Sequence, residues 1–484
     1  MINFRIISKI IGSLLFIEAF FMAVCLVVAF SFAEDDTMAF MMSAVLTFAA
    51  GIIFLFFGRK AENALSRRDA YVVVALTWVV FSVFGMYPFL IHGSLISVTD
   101  AFFETMSGFT TTGATIIDNV EALPHGLLFW RSLMQWIGGL GIVFFTVALL
   151  PSIVGGSVKV FAAEATGPMR SKMHPRLTTS AKWIWSVYTL LTVACGLSFW
   201  VAGMDWFGAT NYAMSTTATG GFSIHNGTIF LASPLVEYLA ILFQFLAGIN
   251  FTLLYLSTFK MKPGTLLRNS EFRFYVATIA VATAWIMYLL VSRMDYGVER
   301  AFRSSLFQVV SFITTTGLSN TDAGMWPHIT WIILGVLMFV GACAGSTTGG
   351  FKSIRVLMLI KVMRNELRHI LHPNAVLPVK LNGQSIPQSK LVTLLAFFTL
   401  SIIMLLATTT VMLVSGVDIT NATTIALSLF SNVGAGLDTN IGPQMSWADL
   451  APGIKWLCSA LMLVGRLEIV TVLVLFTRSF WKEN

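Results

Sequence analysis

The chain has 484 residues, of which 56% are hydrophobic and 11% charged, with a mean hydropathy of +0.81 and a net charge of +7. A soluble domain carries roughly a quarter charged residues, so the composition excludes an ordinary soluble globule and places the chain in a lipid bilayer. The four cysteines, Cys25, Cys195, Cys343 and Cys458, sit in or beside apolar segments and read as buried thiols, not as a disulfide framework or metal cluster.

A membrane crossing needs about 20 apolar residues. In chain order such segments fall at 10–32, 39–57, 71–92, 127–151, 182–202, 235–258, 274–292, 329–364 (interrupted), 391–416 and 456–480. The first is longer than a signal-peptide core and no small-residue cleavage site precedes the acidic "EDD" at 34–36, so it reads as a retained span. Basic residues gather at 58–69, 159–182, 260–273 and 352–390, the last including Arg364, Arg368 and Lys380. The intervening loops, such as 34–36 and 116–123, are acidic or neutral, and this alternation predicts that both termini are cytoplasmic, which an even number of spans requires. The positive charge is thus a topology signal, and lipid, not nucleic acid, is the expected surrounding partner. "HILH" at 369–372 lies in the basic stretch and reads as a solvated helix face.

Inside the apolar sequence a short polar string recurs. "FTTTGAT" (109–115) and "ITTTGLS" (313–319) are clear copies; "STTATGGFS" (215–223) and "SLFSNVGAG" (428–436) are weaker ones. Aligned on Gly113, Gly221, Gly317 and Gly434, the residue two earlier is Thr111, Thr219, Thr315 or Asn432, and the residue six earlier is serine each time: Ser107, Ser215, Ser311 and Ser428. Each copy follows a span and a segment too short to cross, which predicts a re-entrant helix with a non-helical return. Such backbone is tolerated at membrane depth only against protein or a water-filled cavity. The expected fold is an all-α polytopic membrane protein with four parallel span–pore helix–span repeats around a pseudo-fourfold pore, preceded by two extra N-terminal spans. The predicted boundaries are 1–69 for those two spans and 70–180, 181–272, 273–389 and 390–484 for the repeats. Glycine permits φ > 0, which turns consecutive carbonyls toward an axis where they replace an ion's hydration shell. No carboxylate adjoins the four glycines, a pattern suited to a weakly hydrated monovalent cation.

Two further features interrupt the spans. "GACAGSTTGG" (341–350) holds too many glycines and small residues for a good helix; it is either a kink between tightly packed helices or an intramembrane loop. Lys352 and Arg355 follow it and are expected to face a partner on the cytoplasmic side. Arg466 lies well inside the final span, where a charge costs about 2.5–3.5 kcal/mol. It must bridge to another span or face the pore; Glu468 lies roughly 200° around the helix from it and is no intrahelical partner. Glu104, Arg131 and Glu237 read as packing or snorkelling anchors at the interfaces.

The ordered set "SVTDAFFETMSGFTTTGAT" (97–115), "QWIGGLGI" (135–142), "GACAGSTTGGFKSIR" (341–355) and "GRLE" (465–468) resembles the Trk/Ktr/HKT superfamily of potassium transporters over essentially the whole chain. The resemblance implies a transporter, not an enzyme, in the bacterial cytoplasmic (inner) membrane, with K+ as the transported ion and no covalently bound cofactor. It also implies a homodimer working with a cytoplasmic nucleotide-binding gating ring similar to TrkA. It assigns a potassium-binding filter to Thr111, Thr112 and Gly113; Thr219, Gly220 and Gly221; Thr315, Thr316 and Gly317; and Asn432, Val433 and Gly434. It assigns gating to Gly345, Ser346, Thr347, Thr348, Gly349 and Lys352 in or beside the interrupted segment, and to Arg466. The fourth strand departs most, lacking threonine and carrying Ala435 where many members have proline. In plant relatives a serine in place of the first glycine accompanies sodium transport, so the four glycines favour potassium; a sodium or poorly selective cation conductor is the alternative. A polytopic enzyme is disfavoured by the lack of an H-E-x-x-H motif, a paired intramembrane aspartate or a nucleotide-binding glycine loop. Inverted repeats need an odd number of crossings per unit, which disfavours that class of secondary transporter.

Overall fold

A computed structural model describes residues 2–61, 65–141, 177–226, 233–375, 377–437 and 446–482. Among these, regular structure is helical apart from one small hairpin, Lys380–Leu381 with Gln384–Ser385. Six helices are long and apolar enough to cross a bilayer: Phe4–Phe32, Thr37–Gly58, Arg68–His92, Ala181–Val201, Ser270–Arg293 and Gln388–Val414. The chain is an integral membrane protein.

The first two helices pack closely because small residues face each other. A Cβ on Gly12 would lie 2.8 Å from the Gly51 carbonyl oxygen, and one on Gly58 would lie 2.6 Å from the Lys9 nitrogen, the close backbone approach that membrane helices use in place of hydrophobic segregation. The outer helix leaves Val45, Phe48, Ile52, Ile53 and Phe56 exposed, as a lipid-facing stripe should.

Four shorter helices, Val98–Phe109, Trp206–Ala218, Val298–Ile313 and Ile419–Ser431, follow long ones and are largely buried. The side chains of Asp205 and Asp418 cap the second and fourth by accepting from Gly208 N and Thr420 N, while Asp100 and Glu299 stand in the first turns of the other two, where negative charge complements the helix dipole.

The sequence predicted a break in only one late span, 329–364; the structure has that break between the helices His328–Val340 and Ser353–Leu371. It also breaks two spans read as continuous. Segment 235–258 is Pro234–Ala247 and Phe251–Thr258, bent by 104°, and 456–480 is bent by 113° between Pro452–Leu467 and the helix after it. A helix can bend this sharply in a bilayer only where its freed polar groups find partners. For the first bend they do: Asn250 accepts from Thr252 N and Leu253 N through its side chain, Cys343 N donates to Gly248 O at 3.1 Å, and Phe251 N donates to Gly345 O at 3.0 Å. The break at Gly248–Asn250 and the break at 341–352 thus satisfy each other. At the second bend Glu468 takes φ +65° and its carboxylate accepts from Arg355 at 2.5 Å. The helix His125–Gly139 begins the expected span 127–151, whose residues 142–151 lie outside the described residues, as does 159–176 of the basic stretch.

Candidate functional site

The four short helices end alike. Thr111, Thr219, Thr315 and Asn432 all take left-handed backbone, with φ of 54°, 53°, 55° and 56°. Their N–H groups donate to Gly108, Thr216, Phe312 and Leu429 carbonyls at 3.0–3.2 Å. The next N–H, of Thr112, Gly220, Thr316 or Val433, donates to the carbonyl of the repeated serine at 2.9, 2.9, 2.8 and 2.9 Å. This pair of bonds is a Schellman cap, and the serine column in the sequence marks its accepting turn. Threonine is poorly suited to left-handed backbone, and each such residue stores about 1–3 kcal/mol of strain; asparagine tolerates it better. The strain repeats three times in one small region, as functional backbone does.

Beyond the cap the chain leaves the helix and reaches Gly113, Gly221, Gly317 and Gly434, with φ of 84°, 83°, 75° and 76°. A Cβ on Gly113 would lie 2.3 Å from Gly220 O; on Gly221, 2.1 Å from Thr316 O; on Gly317, 2.0 Å from Val433 O; and on Gly434, 2.1 Å from Thr112 O. Each glycine therefore abuts the carbonyl just before the next unit's glycine, and the fourth returns to the first. The four strands form a closed ring, and the twelve residues singled out from sequence all lie in it, buried.

Segment 341–350 lies against this ring. Gly349 N donates to Thr315 Oγ1 at 2.7 Å, and a Cβ on Gly349 would meet Ser431 O at 2.2 Å. Thr347 Oγ1 donates to Thr217 O at 3.1 Å and Ala247 O at 3.3 Å. The segment thus touches the ends of the second, third and fourth short helices, at or within two residues of their left-handed residues. Glu271 accepts from Ala344 N at 2.6 Å and Asn250 Nδ2 donates to Ala344 O at 2.6 Å. Arg466 donates to Thr347 O at 2.8 Å and, with its other terminal nitrogen, to Gly138 O and Gly139 O at 2.7 and 2.6 Å. It joins the interrupted segment to the end of the helix His125–Gly139. Ser346 Oγ and Thr348 Oγ1 are 2.8 Å apart.

Lys352 and Arg355 do not face the cytoplasm as expected. Both are buried; Lys352 Nζ turns back onto the Thr348 carbonyl, and Arg355 pairs with Glu468. Of the two readings of Arg131 and Glu104, packing or snorkelling, the structure agrees with packing: Arg131 forms a buried ion pair with Glu104 at 2.9 Å, stacks on Phe222 and donates to Ser223 O and Thr115 Oγ1 at 2.8 and 3.0 Å. Glu237 pairs with Arg303 at 3.3 Å and accepts from Asn320 at 2.6 Å, close to the reading of it as an interface residue. Glu271, Asn250 and Gln135 went unnoticed in the sequence. Gln135 donates to Gly220 O at 2.7 Å and accepts from Phe222 N at 3.2 Å, bracing the second strand; a glutamine four residues before "GLG" in an apolar span was the available signal.

A family model described as TrkH, cation transport protein, matches residues 36–483. The chain is 35% identical to the Trk system potassium uptake protein TrkH of Escherichia coli K12, over 99% of this chain and all of that protein. It is 33% identical to the potassium uptake protein TrkG of the same organism, covering 99% of each. The crystal structure of the potassium transporter TrkH from Vibrio parahaemolyticus matches with a TM-score of 0.90 at 33% identity, over 99% of this chain and all of that one.

Proposed function

Since the chain belongs to the TrkH family of cation transport proteins, whose members are potassium transporters and not enzymes, we propose that it takes up K+ through the ring of four strands. The observation that carries this reading is the closure of the ring. Four glycines with φ > 0 and four carbonyls one residue earlier alternate around it, which suits backbone oxygens replacing the hydration shell of a monovalent cation. The coordinating set would be the carbonyls of Thr111, Thr112 and Gly113 and of their counterparts in the other three strands. The four units 70–180, 181–272, 273–389 and 390–484 would surround one pseudo-fourfold pore, with 1–69 outside it.

Segment 341–350 and Arg466 would form the gate. Their contacts with the helix ends support this, since an ion leaving the ring toward that side would meet Thr347 and the guanidinium. Opening would move 341–350 off Thr217 and Thr315. A homodimer in the inner membrane, both termini cytoplasmic, regulated by a nucleotide-binding ring similar to TrkA, completes the proposal, with the motif resemblance and the alternation of basic and acidic loops as its support.

The test is uptake of Rb+ into proteoliposomes with K+, Na+ and Li+ as competitors, for the parent and Gly113→Ser. The parent should prefer K+ and Rb+, and the variant should lose preference more than flux. A parent indifferent to the competing ion overturns the selective-filter reading.

A further inference from the structure

The repeat extends beyond the caps and glycines. Counting from each ring glycine, the residue nine before and the residue two after meet behind the strand. In the first unit Thr115 Oγ1 donates to Glu104 at 3.1 Å, and Glu104 also accepts from Ile116 N at 2.9 Å. In the second, the hydroxyls of Tyr212 and Ser223 are 2.8 Å apart. In the third, Gln308 Nε2 donates to Ser319 Oγ at 3.0 Å and to Thr321 O at 2.9 Å. Three different side chains make the same tie between a short helix and the outer end of its strand.

The fourth unit has no means to make it. The corresponding residues are Ile425, fully buried, and Gly436. One has no polar atom in its side chain and the other has no side chain. The inner end of this strand is held, since Asn432 Nδ2 donates to Thr112 Oγ1 and Met462 O, both at 2.9 Å. Beyond Gly434, where the other three are clasped, no side-chain hydrogen bond holds it among the described residues.

We infer that Glu104, Tyr212 and Gln308 are positioning residues that fix the outer ends of three strands, and that the unclasped fourth strand, 434–436, sets how sharply the ring distinguishes K+ from Na+. This rests on the filter reading above. A smaller cation is excluded to the extent that the carbonyl cage resists contracting around it. Three clasped quarters resist; the fourth yields first. Loosening a clasped strand therefore lowers selectivity, and clasping the fourth raises it.

The effect is read as the ratio of K+ to Na+ potency in competing with Rb+ uptake, in proteoliposomes of the full chain normalised to folded protein. Tyr212→Phe deletes only the hydroxyl, and Ser319→Ala deletes the hydroxyl that Gln308 binds. Each should lower the ratio at least threefold, and Ser319→Thr, which restores a hydroxyl, should recover it. The double variant Ile425→Gln with Gly436→Ser should raise the ratio; if it does not fold, the hydroxyl deletions decide alone. A general structural role would lower protein yield and leave the ratio untouched. Parental ratios in Tyr212→Phe and Ser319→Ala, beside an altered ratio in Gly113→Ser, would overturn the clasp and leave the filter standing. An unaltered ratio in Gly113→Ser as well would overturn both.

Discussion

Replacing Arg466 by alanine removes its hydrogen bonds to the Gly138 and Gly139 carbonyls and the one to Thr347 O at 2.8 Å, which reaches the interrupted segment. A hydrogen bond from a charged donor contributes about 1.5–3 kcal/mol. If 341–350 moves between a state on Arg466 and one off it, losing that bond shifts the balance by roughly tenfold to a hundredfold. The charge adds a second effect: a cation passing ~6 Å away at an effective dielectric of ~20 is repelled by about 3 kcal/mol. Both terms raise flux in Arg466→Ala, so Rb+ uptake per folded molecule should rise at least tenfold. Arg466→Lys should fall between, because lysine keeps the charge but cannot span Thr347 and the Gly138–Gly139 carbonyls with one planar fork. The assay is tracer uptake in proteoliposomes, normalised to monodisperse protein after gel filtration. If Arg466 only ties helices together, Arg466→Ala will lower the monodisperse fraction while flux per molecule stays at the parental level. That result would refute the gating argument.

Other substitutions test neighbouring parts. Gly434→Ala places a methyl 2.1 Å from Thr112 O at φ +76°, so ion preference should fall more than in Ala435→Gly, measured by the same competition. Arg131→Met leaves Glu104 buried without its ion partner, a loss of about 3–5 kcal/mol; folded yield should drop sharply, and adding Glu104→Gln should restore part of it in a double-mutant cycle. Burial, and then the neighbouring Glu34, raise the Asp36 carboxyl above its ordinary range. A raised folded value means stability is lost as pH rises from the unfolded value through the folded one. The melting temperature of Asp36→Asn minus that of the parent should therefore grow from pH 4 to pH 7; a constant difference would exclude this linkage.

What could be read from the sequence was local and repeated. The glycine anchors, the serine column and the break at 341–350 each leave a compositional mark on a short stretch, and the structure joins them in one region. The left-handed residue two before each glycine was missed, although the column Thr, Thr, Thr, Asn held the clue, asparagine being the ordinary residue for that backbone. The bends at Gly248–Asn250 and Glu468 were hidden because hydropathy averages over a window and does not register where a polar partner waits. That partner is supplied by another unit: Gly345 O for Phe251 N, Arg355 for Glu468. Arg131 and Glu104 are 27 residues apart on different helices, and no periodicity relates them. Arg355 was misjudged for the same reason, since its partner Glu468 is distant in the chain, whereas Lys352 turns back onto the Thr348 carbonyl four residues away.

A pore built from four copies of one subunit must repeat every feature four times; a single chain need not. Gly138 and Gly465 face the carbonyls of Phe109 and Phe430, the residues two after the repeated serines of their units. Arg466 therefore stands where the first unit has Gly139. In the proposed pore a single guanidinium at this position would leave room for an ion path when it moves, whereas four would crowd and repel one another. The same freedom lets three strands carry a side-chain clasp while the fourth carries Ile425 and Gly436. On that reading the fourth unit supplies both Arg466 and the strand without the side-chain clasp, and the third supplies the broken segment pressed against them. On this arrangement a movement of 341–350 would act on the third and fourth strands together, through Gly349, whose N–H donates to Thr315 Oγ1 and whose Cα faces Ser431 O. Changes at Gly349 should accordingly alter gating and ion preference together, whereas changes near Gly113, inside a clasped strand, should alter preference alone.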